Sequence, residues 1–229
     1  AWVAGVVSIV VILMVIIVTM EPPKDGITRA QAFKAMALAV TTKDECSRRE
    51  KERGSSRFSA KEKDNWFVKY MDYLYGQGYL DSGSVKADER SATSAVTYAV
   101  LSDWAKKASE EGKGETDALL SYVDSGDRAK KAVSSENFWK FYDAFRAAVD
   151  PDRAVAEVET DLYGTPDNVD GAPAWTAYTR DGIFQFEGLY LDGYIDQKIR
   201  FLARDDEILK VEEMVSDEIV YENAWISGF

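Results

Sequence analysis

The sequence has no histidine and only one cysteine among its 229 residues. These absences exclude a Ser-His-Asp triad, a histidine general base, histidine metal ligands, an internal disulfide, a zinc knuckle and an iron–sulfur site. Lys and Arg number 28 against 40 Asp and Glu, which gives a net charge of −12. Because phosphate neutralisation requires a basic face, this balance argues against nucleic-acid binding. We therefore expect a non-catalytic chain without a cofactor or a metal site.

The excess of acidic residues is confined to the last third of the chain. Residues 1–150 hold 22 basic and 22 acidic side chains, whereas residues 151–229 hold 6 and 18, so 6 − 18 = −12 accounts for the whole net charge. Such a break in composition is typical of a domain boundary. We place the boundary at residues 150–152 and predict a helical domain over 27–149 and a small acidic β domain over 152–229.

Residues 1–20 form an apolar run that contains no charged side chain. About 20 residues at 1.5 Å each match the roughly 30 Å hydrocarbon core of a bilayer. No small-residue cleavage site ends the run, which favours an uncleaved signal-anchor over a cleaved signal peptide or a buried helix. The residues that follow have no basic excess, which favours an extracytoplasmic location for the rest of the chain. We predict a single-pass transmembrane helix over 1–20, attached through a spacer at 21–26.

Apolar residues recur at helical spacing across the predicted helical domain. Thr28 and Gln31 fit a capping box at the start of the first helix. A third strong helix is predicted from Ser91 to Lys107, and Ser135 is predicted to cap the fourth. The inward-facing residues predicted for the four helices are Ala30, Phe33, Ala37 and Val40; Trp66, Tyr70, Met71 and Leu74; Ala95, Tyr98, Leu101 and Trp104 or Ala105; and Phe138, Phe141, Tyr142 and Phe145.

Beyond the boundary, apolar residues alternate with polar ones, which is the period of a half-buried strand. Strands are predicted near 155–162, 175–178, 183–186, 199–202, 208–211 and 219–221. Tight turns are predicted at residues 180–182 and at Asp205-Asp206. Short strands at this spacing predict a small antiparallel barrel or sandwich. The fold class is therefore α+β, with a transmembrane helix, a helical domain and a small β domain in that order.

Two motifs in the helical domain resemble an S-layer homology repeat. Residues 27–31, Ile-Thr-Arg-Ala-Gln, are similar to the start of its first helix, although Gln31 stands where Glu is usual. The features that resemble its second half are Trp66, Tyr70, Gly76-Gln77-Gly78 and Asp88, followed by a Thr-containing stretch to Thr93. The resemblance implies binding to a cell-wall glycan or secondary polymer of a Gram-positive envelope. Its candidate ligand-binding residues are Thr28, Arg29, Trp66, Tyr70 and Asp88, although the same residues could only cap helices and fill a core.

The order of segments along the whole chain resembles the region that precedes the catalytic domain in SpoIID/LytB-domain proteins of Firmicutes. Besides the apolar run and the Thr-Arg-Ala helix, the segments concerned are 136–142, 184–189 and 194–199. The catalytic glutamate segment of that family is not in this chain. The resemblance implies a membrane-anchored, extracytoplasmic module that positions or regulates peptidoglycan remodelling, with sporulation as one setting.

Two alternatives to this function stay open. The chain could be a structural ectodomain whose acidic β domain docks a basic protein partner. It could also be an enzyme that uses two carboxylates, but forty acidic residues provide many suitable spacings by chance. The charged stretch 43–63 is predicted as a helix extension with a loop, or as a flexible insertion. Cys46 lies in this stretch beside Arg48 and Arg49, whose charges could lower the pKa of its thiol, but an incidental cysteine is the favoured interpretation.

Overall fold

The computed structural model describes residues 26–53, 65–80, 94–121 and 131–218. The chain divides into two compact units, Ala1–Arg153 and Ala154–Phe229. This division lies next to the break in charge at residues 150–152. Among the described residues, the α-helices belong to the first unit and the paired strands of the sheet to the second.

The described part of the first unit contains six α-helices. They are α1 (Arg29–Val40), α2 (Lys43–Arg53), α3 (Val68–Gln77), α4 (Tyr98–Glu110), α5 (Thr116–Leu120) and α6 (Ser135–Val149). The capping box predicted for α1 is confirmed, because the Thr28 hydroxyl accepts a hydrogen bond from the Gln31 amide and the Gln31 side chain accepts one from the Thr28 amide. The fourth helix is capped by Ser134, one residue earlier than predicted.

The start of α4 differs from the prediction. The sequence pattern favours a helix from Ser91, but α4 begins at Tyr98. Residues 95–97 instead have paired, extended backbone before the helix starts. Pairing with distant segments therefore overrides the local helical pattern at this point.

Three short extended segments, each directly before a helix, pair with one another. We call them the hub: residues 26–28 before α1, 95–97 before α4 and 132–134 before α6. Their isolated antiparallel bridges join Gly26 to Ser134, Thr28 to Ala95 and Thr97 to Ala132. Each segment is thus bridged to the other two, so the starts of three helices are fixed together.

The hydrogen bonds of the hub repeat from one segment to the next. The first amide of α1, at Arg29, donates to the Ser94 carbonyl at 2.8 Å, and the first amide of α4, at Tyr98, donates to the Lys131 carbonyl at 3.3 Å. In the same way the Val96 amide donates to the Ile27 carbonyl at 3.0 Å, and the Val133 amide donates to the Val96 carbonyl at 2.9 Å. The hydrogen-bond pattern that joins residues 26–28 to residues 95–97 therefore also joins residues 95–97 to residues 132–134.

Aromatic rings from the three hub helices form the centre of the first unit. The Trp104 ring of α4 lies edge-on to Phe33 of α1, with centroids 6.0 Å apart, and is stacked on Phe141 of α6 at 6.5 Å. All three side chains are almost completely buried. The inward faces predicted for α1, α4 and α6 are confirmed at these positions, and each buried ring contributes a large apolar area.

The second unit contains a five-stranded mixed sheet. Its strands are β1 (Ala156–Gly164), β2 (Thr176–Thr179), β3 (Gly182–Gln185), β4 (Gln197–Arg204) and β5 (Glu207–Glu218), with a 3₁₀ turn at Asp192–Tyr194. The strand order is β1-β2-β3-β5-β4, and β4 also pairs with β1. All pairs are antiparallel except β3 with β5. The two turns predicted at 180–182 and 205–206 are confirmed as hairpins.

The predicted antiparallel barrel or sandwich is wrong. The pairing order returns to β1, but β3 meets β5 at a single parallel pair, Gln185 opposite Glu207. At that point the Gln185 amide donates to the carbonyl of Asp206, which belongs to the β4–β5 turn. β3 has only four residues, and its last residue pairs with the β4–β5 turn and the first residue of β5. The unit is therefore a strongly curved mixed sheet. The broader α+β class is correct.

The membrane helix in the predicted fold class also needs correction. None of the helices across the described ranges is both long enough and apolar enough to cross a bilayer. The apolar run at 1–20, to which the prediction assigned that helix, lies outside the described residues, as does the strand predicted at 219–221.

The sheet separates an apolar core from a charged outer face. The core residues are Leu162, Ala177, Phe186, Leu191, Ile199, Phe201, Ala203 and Ile208. On the outer face, Arg200 of β4 forms ion pairs with Glu157 and Glu159 of β1, at 3.4 and 2.9 Å. The arginine lowers the pKa of Glu159 through this hydrogen bond. The acids of β1 are therefore partly neutralised within the sheet itself.

The hub predicts different effects for two threonines at equivalent positions. Thr28→Ala removes the hydroxyl that accepts from the Gln31 amide, and we expect it to lower the free energy of unfolding by about 1 kcal/mol. Thr97 forms no capping hydrogen bond through its side chain, so Thr97→Ala should lower it by about 0.3 kcal/mol or less. Urea unfolding followed by circular dichroism measures both values. Equal losses in the two variants would contradict the assigned role of Thr28.

Candidate functional site

Thr28 and Arg29 lie side by side at the start of α1. Thr28 is 5% exposed, and its hydroxyl closes the helix through Gln31, so this predicted ligand-binding residue has a structural role. Arg29 is the first residue of α1 and is half-buried, with its backbone amide held by the hub. Of the two, only Arg29 keeps part of its side chain available to a ligand.

Trp66 and Tyr70 are brought together at the start of α3. Their rings meet edge to face with centroids 6.4 Å apart, and Trp66 is also edge-on to Phe67 at 5.7 Å. Tyr70 is completely buried, and the Lys69 ammonium lies 5.1 Å from the centroid of its ring. Trp66 is half-buried, so this rigidly packed indole keeps an accessible part. Asp88, the fifth predicted residue, lies outside the described residues.

The described part of the stretch 43–63 is the helix α2, whose arginines are paired with glutamates. Glu45 accepts hydrogen bonds from Arg48 and Arg49 at 2.7 and 2.9 Å, and Arg48 also contacts Glu52. These two arginines hold the pKa of Glu45 below its ordinary value. The Arg49 guanidinium lies 5.2 Å from the ring centroid of Tyr73 in α3. The arginines are thus engaged along α2 and across to α3.

Two carboxylates that sequence reasoning missed lie between α2 and α3. Asp72 of α3 is 5% exposed, and its Oδ2 has no hydrogen-bond partner within the described residues. Burial raises the pKa of Glu50 on α2; the Lys69 ammonium opposes this rise, and the Asp72 carboxylate adds to it. No three His, Cys, Asp or Glu side chains of the described ranges are grouped closely enough to hold a metal ion.

The partly exposed residues among these form a candidate binding surface, which we call the α2–α3 face: Arg49, Glu50, Trp66 and Lys69. A half-exposed indole can stack on a sugar ring, and carboxylates accept hydrogen bonds from sugar hydroxyls. A lysine ammonium attracts the anionic groups of a charged polymer. The face can therefore bind a glycan, whereas nothing in its arrangement assigns it a reaction.

Cys46 is not the exposed, activated thiol that its neighbours in the sequence suggest. It lies in α2 and is completely buried. Burial raises the pKa of the Cys46 thiol to about 12, and the nearby Lys69 charge opposes that rise only in part. The prediction that neighbouring arginines would lower this pKa considered charge without burial.

The second and third copies of the helix-start motif also escaped sequence reasoning. The resemblance to a repeat drew attention to Asp88 and the stretch to Thr93, whereas the structure places hub segments at 95–97 and 132–134. The signal that could have found them is a β-branched residue followed by Thr or Ser directly before a helix. It occurs as Ile27-Thr28, Val96-Thr97 and Val133-Ser134.

No protein-family model, curated protein or solved structure matches this chain. The resemblances to S-layer homology repeats and to SpoIID/LytB-domain proteins thus stay predictions from sequence motifs. The residues of the α2–α3 face and the hub carry the functional argument.

Burial of Cys46 predicts slow chemical labelling of the folded protein. At pH 8 a thiol with a pKa near 12 is protonated, and only the thiolate reacts with a disulfide reagent. We expect labelling by Ellman's reagent to be at least about 100-fold slower in the folded chain than in guanidinium chloride. Since Cys46 is the only cysteine, the colour change reports this site alone. Rapid labelling of the folded chain at pH 8 would contradict the buried position.

Proposed function

We propose that this chain is a cell-envelope binding module that attaches to an anionic wall glycan through its helical unit and so positions or regulates peptidoglycan remodelling. The observation that carries the proposal is the half-buried Trp66, which lies just before α3 and is held edge-on by Phe67 and Tyr70, with Lys69 in the first turn of α3. The extracytoplasmic location, the membrane attachment and the setting of sporulation stay predictions from the sequence.

The packing of Trp66 supports a role in binding a sugar ring. Two edge-to-face contacts restrict the indole before any ligand arrives, so little side-chain freedom remains to be lost on binding. Stacking of a ring on an indole depends on apolar contact and is little affected by salt. Attachment through Trp66 should therefore persist at salt concentrations that weaken contacts between exposed charges.

The charge on the face supports an anionic polymer as the glycan. Lys69 lies in the first turn of α3, 5.1 Å from the ring centroid of Tyr70, and it is half-buried, so its charge is screened less than that of a fully exposed lysine. The partly exposed Glu50 on α2 can accept hydrogen bonds from hydroxyl groups, which gives preference for a hydroxylated ligand over a simple anion.

Arg29 provides a second cationic position in the same unit. It is the first residue of α1, and the equivalent first residues of α4 and α6 are Tyr98 and Ser135. Of the three helices that start at the hub, only α1 therefore presents a cation at its first position. If the polymer contacts a helix start, the contact should be made at α1.

Cosedimentation of the full chain with intact Gram-positive cell walls tests this proposal. We expect pelleting at about 50 mM salt that largely survives at about 500 mM, because the indole contact is not screened. Trp66→Ala and Lys69→Ala should each reduce the bound fraction at least about threefold, which corresponds to a loss of roughly 0.7 kcal/mol. Arg29→Ala should give a smaller loss that is greatest at low salt.

Matched variants separate a binding role from a structural one. Trp66→Phe keeps an aromatic ring and should retain more binding than Trp66→Ala, and Lys106→Ala removes an exposed lysine of α4 and should bind as the wild type. Circular dichroism checks that each variant is folded. Soluble protein under all conditions would overturn the proposal and would favour the alternative of a protein-docking ectodomain.

A further inference from the structure

Two loops of the second unit contain acidic residues but no basic ones. The segments 165–175 and 186–196 contain no lysine or arginine, and their acidic residues are Asp167, Asp170, Glu187, Asp192 and Asp196. Asp167 and Asp170 are exposed and form no salt bridge among the described residues. A concentrated charge of one sign at such loops produces a field that attracts a partner of the opposite sign.

The basic residues of the unit are engaged elsewhere, on its strands and hairpins. Arg180 pairs with Asp161 at 3.0 Å, Arg200 with Glu159 at 2.9 Å, and Lys210 with Glu212 at 3.0 Å. The remaining two are Lys198, which lies opposite Asp161 in the strand register, and the buried Arg204. The strand faces therefore neutralise part of their own charge, whereas Asp167 and Asp170 of the first loop form no salt bridge in the described part of the chain.

Hydrogen bonds on both sides of Tyr163 hold the two loops together. The completely buried Thr165 donates its hydroxyl to the carboxylate of Asp192, which connects the first loop to the second. The amide of Asp196 donates to the carbonyl of Leu162 at 2.8 Å, which fixes the end of the second loop beside β1. The first loop is also closed on itself, since the Thr165 amide donates to the Asn168 side chain at 2.8 Å.

Two exposed tyrosines lie on these elements. Tyr190 of the second loop is 58% exposed and Tyr163 at the end of β1 is 37% exposed. Tyr190 lies over Gly193, where an added Cβ would be 3.2 Å from the ring, and it meets Tyr194 edge to face with centroids 6.4 Å apart. Tyr190 is therefore held in a defined position although more than half of it faces solvent.

We propose that this acidic–aromatic surface, formed by Tyr163, Asp167, Asp170, Tyr190 and Asp192, docks a lysine- and arginine-rich segment of a partner protein. Charge complementarity selects the occupant, because Asp167, Asp170 and Asp192 lie in loops that contain no lysine or arginine. The tyrosine rings add cation–π contacts to the same side chains, and such contacts require a cation on the face of a ring. This proposal is independent of wall binding by the helical unit.

Fluorescence anisotropy with two labelled ten-residue peptides tests the proposal on the full chain. One peptide alternates Arg with Ser and the other alternates Glu with Ser. We expect the arginine peptide to bind at about 50 mM salt and to bind at least tenfold more weakly at about 300 mM, and the glutamate peptide not to bind. Tyr190→Ala should weaken binding of the arginine peptide about fivefold, whereas Tyr190→Phe should keep most of it.

A pair of charge variants separates this surface from general attraction to an acidic chain. Asp170→Asn removes a charge from the first loop and should weaken binding about threefold, whereas Asp206→Asn removes one from the β4–β5 turn and should change it by less than about 1.5-fold. Equal effects of the two variants, or wild-type binding by Tyr190→Ala, would overturn the proposal. A Tyr190-dependent affinity for a neutral chitin oligosaccharide without binding of the arginine peptide would assign the surface to a glycan instead.

Discussion

Every helix leaves its first amide groups without partners inside the helix, and a compact unit has to satisfy those that it buries. In this protein the hub does so for α1 and α4 in the same way, because the first amide of each donates to the carbonyl of a neighbouring hub segment. The same bonds fix where the helices start and therefore which residues meet inside. Phe33, Trp104 and Phe141 can pack together because each lies on a helix whose first residue is fixed by the hub.

Local patterns were sufficient to predict much of this fold. The capping box at Thr28, the inward face of α6 and the β4–β5 turn depend on residues close together in the sequence, and all three were correct. The start of α4 was predicted wrongly, because it depends on residues distant in the sequence. The Val96 amide donates to the Ile27 carbonyl, and the Val96 carbonyl accepts from the Val133 amide. The parallel pairing of β3 with β5 was missed for the same reason, since it joins Gln185 to Glu207, and β4 lies between these two residues in the sequence.

The candidate site was only partly predictable, because a motif does not reveal burial. Thr28 and Tyr70 were proposed as ligand contacts, but their side chains are used for capping and for packing. Trp66 kept an accessible part, as a binding residue must. Asp72 was missed because a lone aspartate in an aromatic helix has no distinctive pattern, and its importance appears only when its burial is known. Charge patterns misled in the same way at Cys46, where desolvation outweighs the neighbouring cations.

The distribution of charge suggests that the two units recognise different partners. Along α2 and on the β1–β4 face, opposite charges are paired within the element, so these surfaces exert little net attraction at a distance. The binding proposed for the α2–α3 face would then depend on contact, through the indole of Trp66 and the polar groups of Glu50 and Lys69. Asp167 and Asp170, in the loop bonded to that of Tyr190, form no salt bridge within the described ranges, so their field extends about a Debye length into solvent. Under the two proposals, the first unit recognises its ligand mainly by contact and the second mainly by charge, so each can bind without competing for the other's ligand.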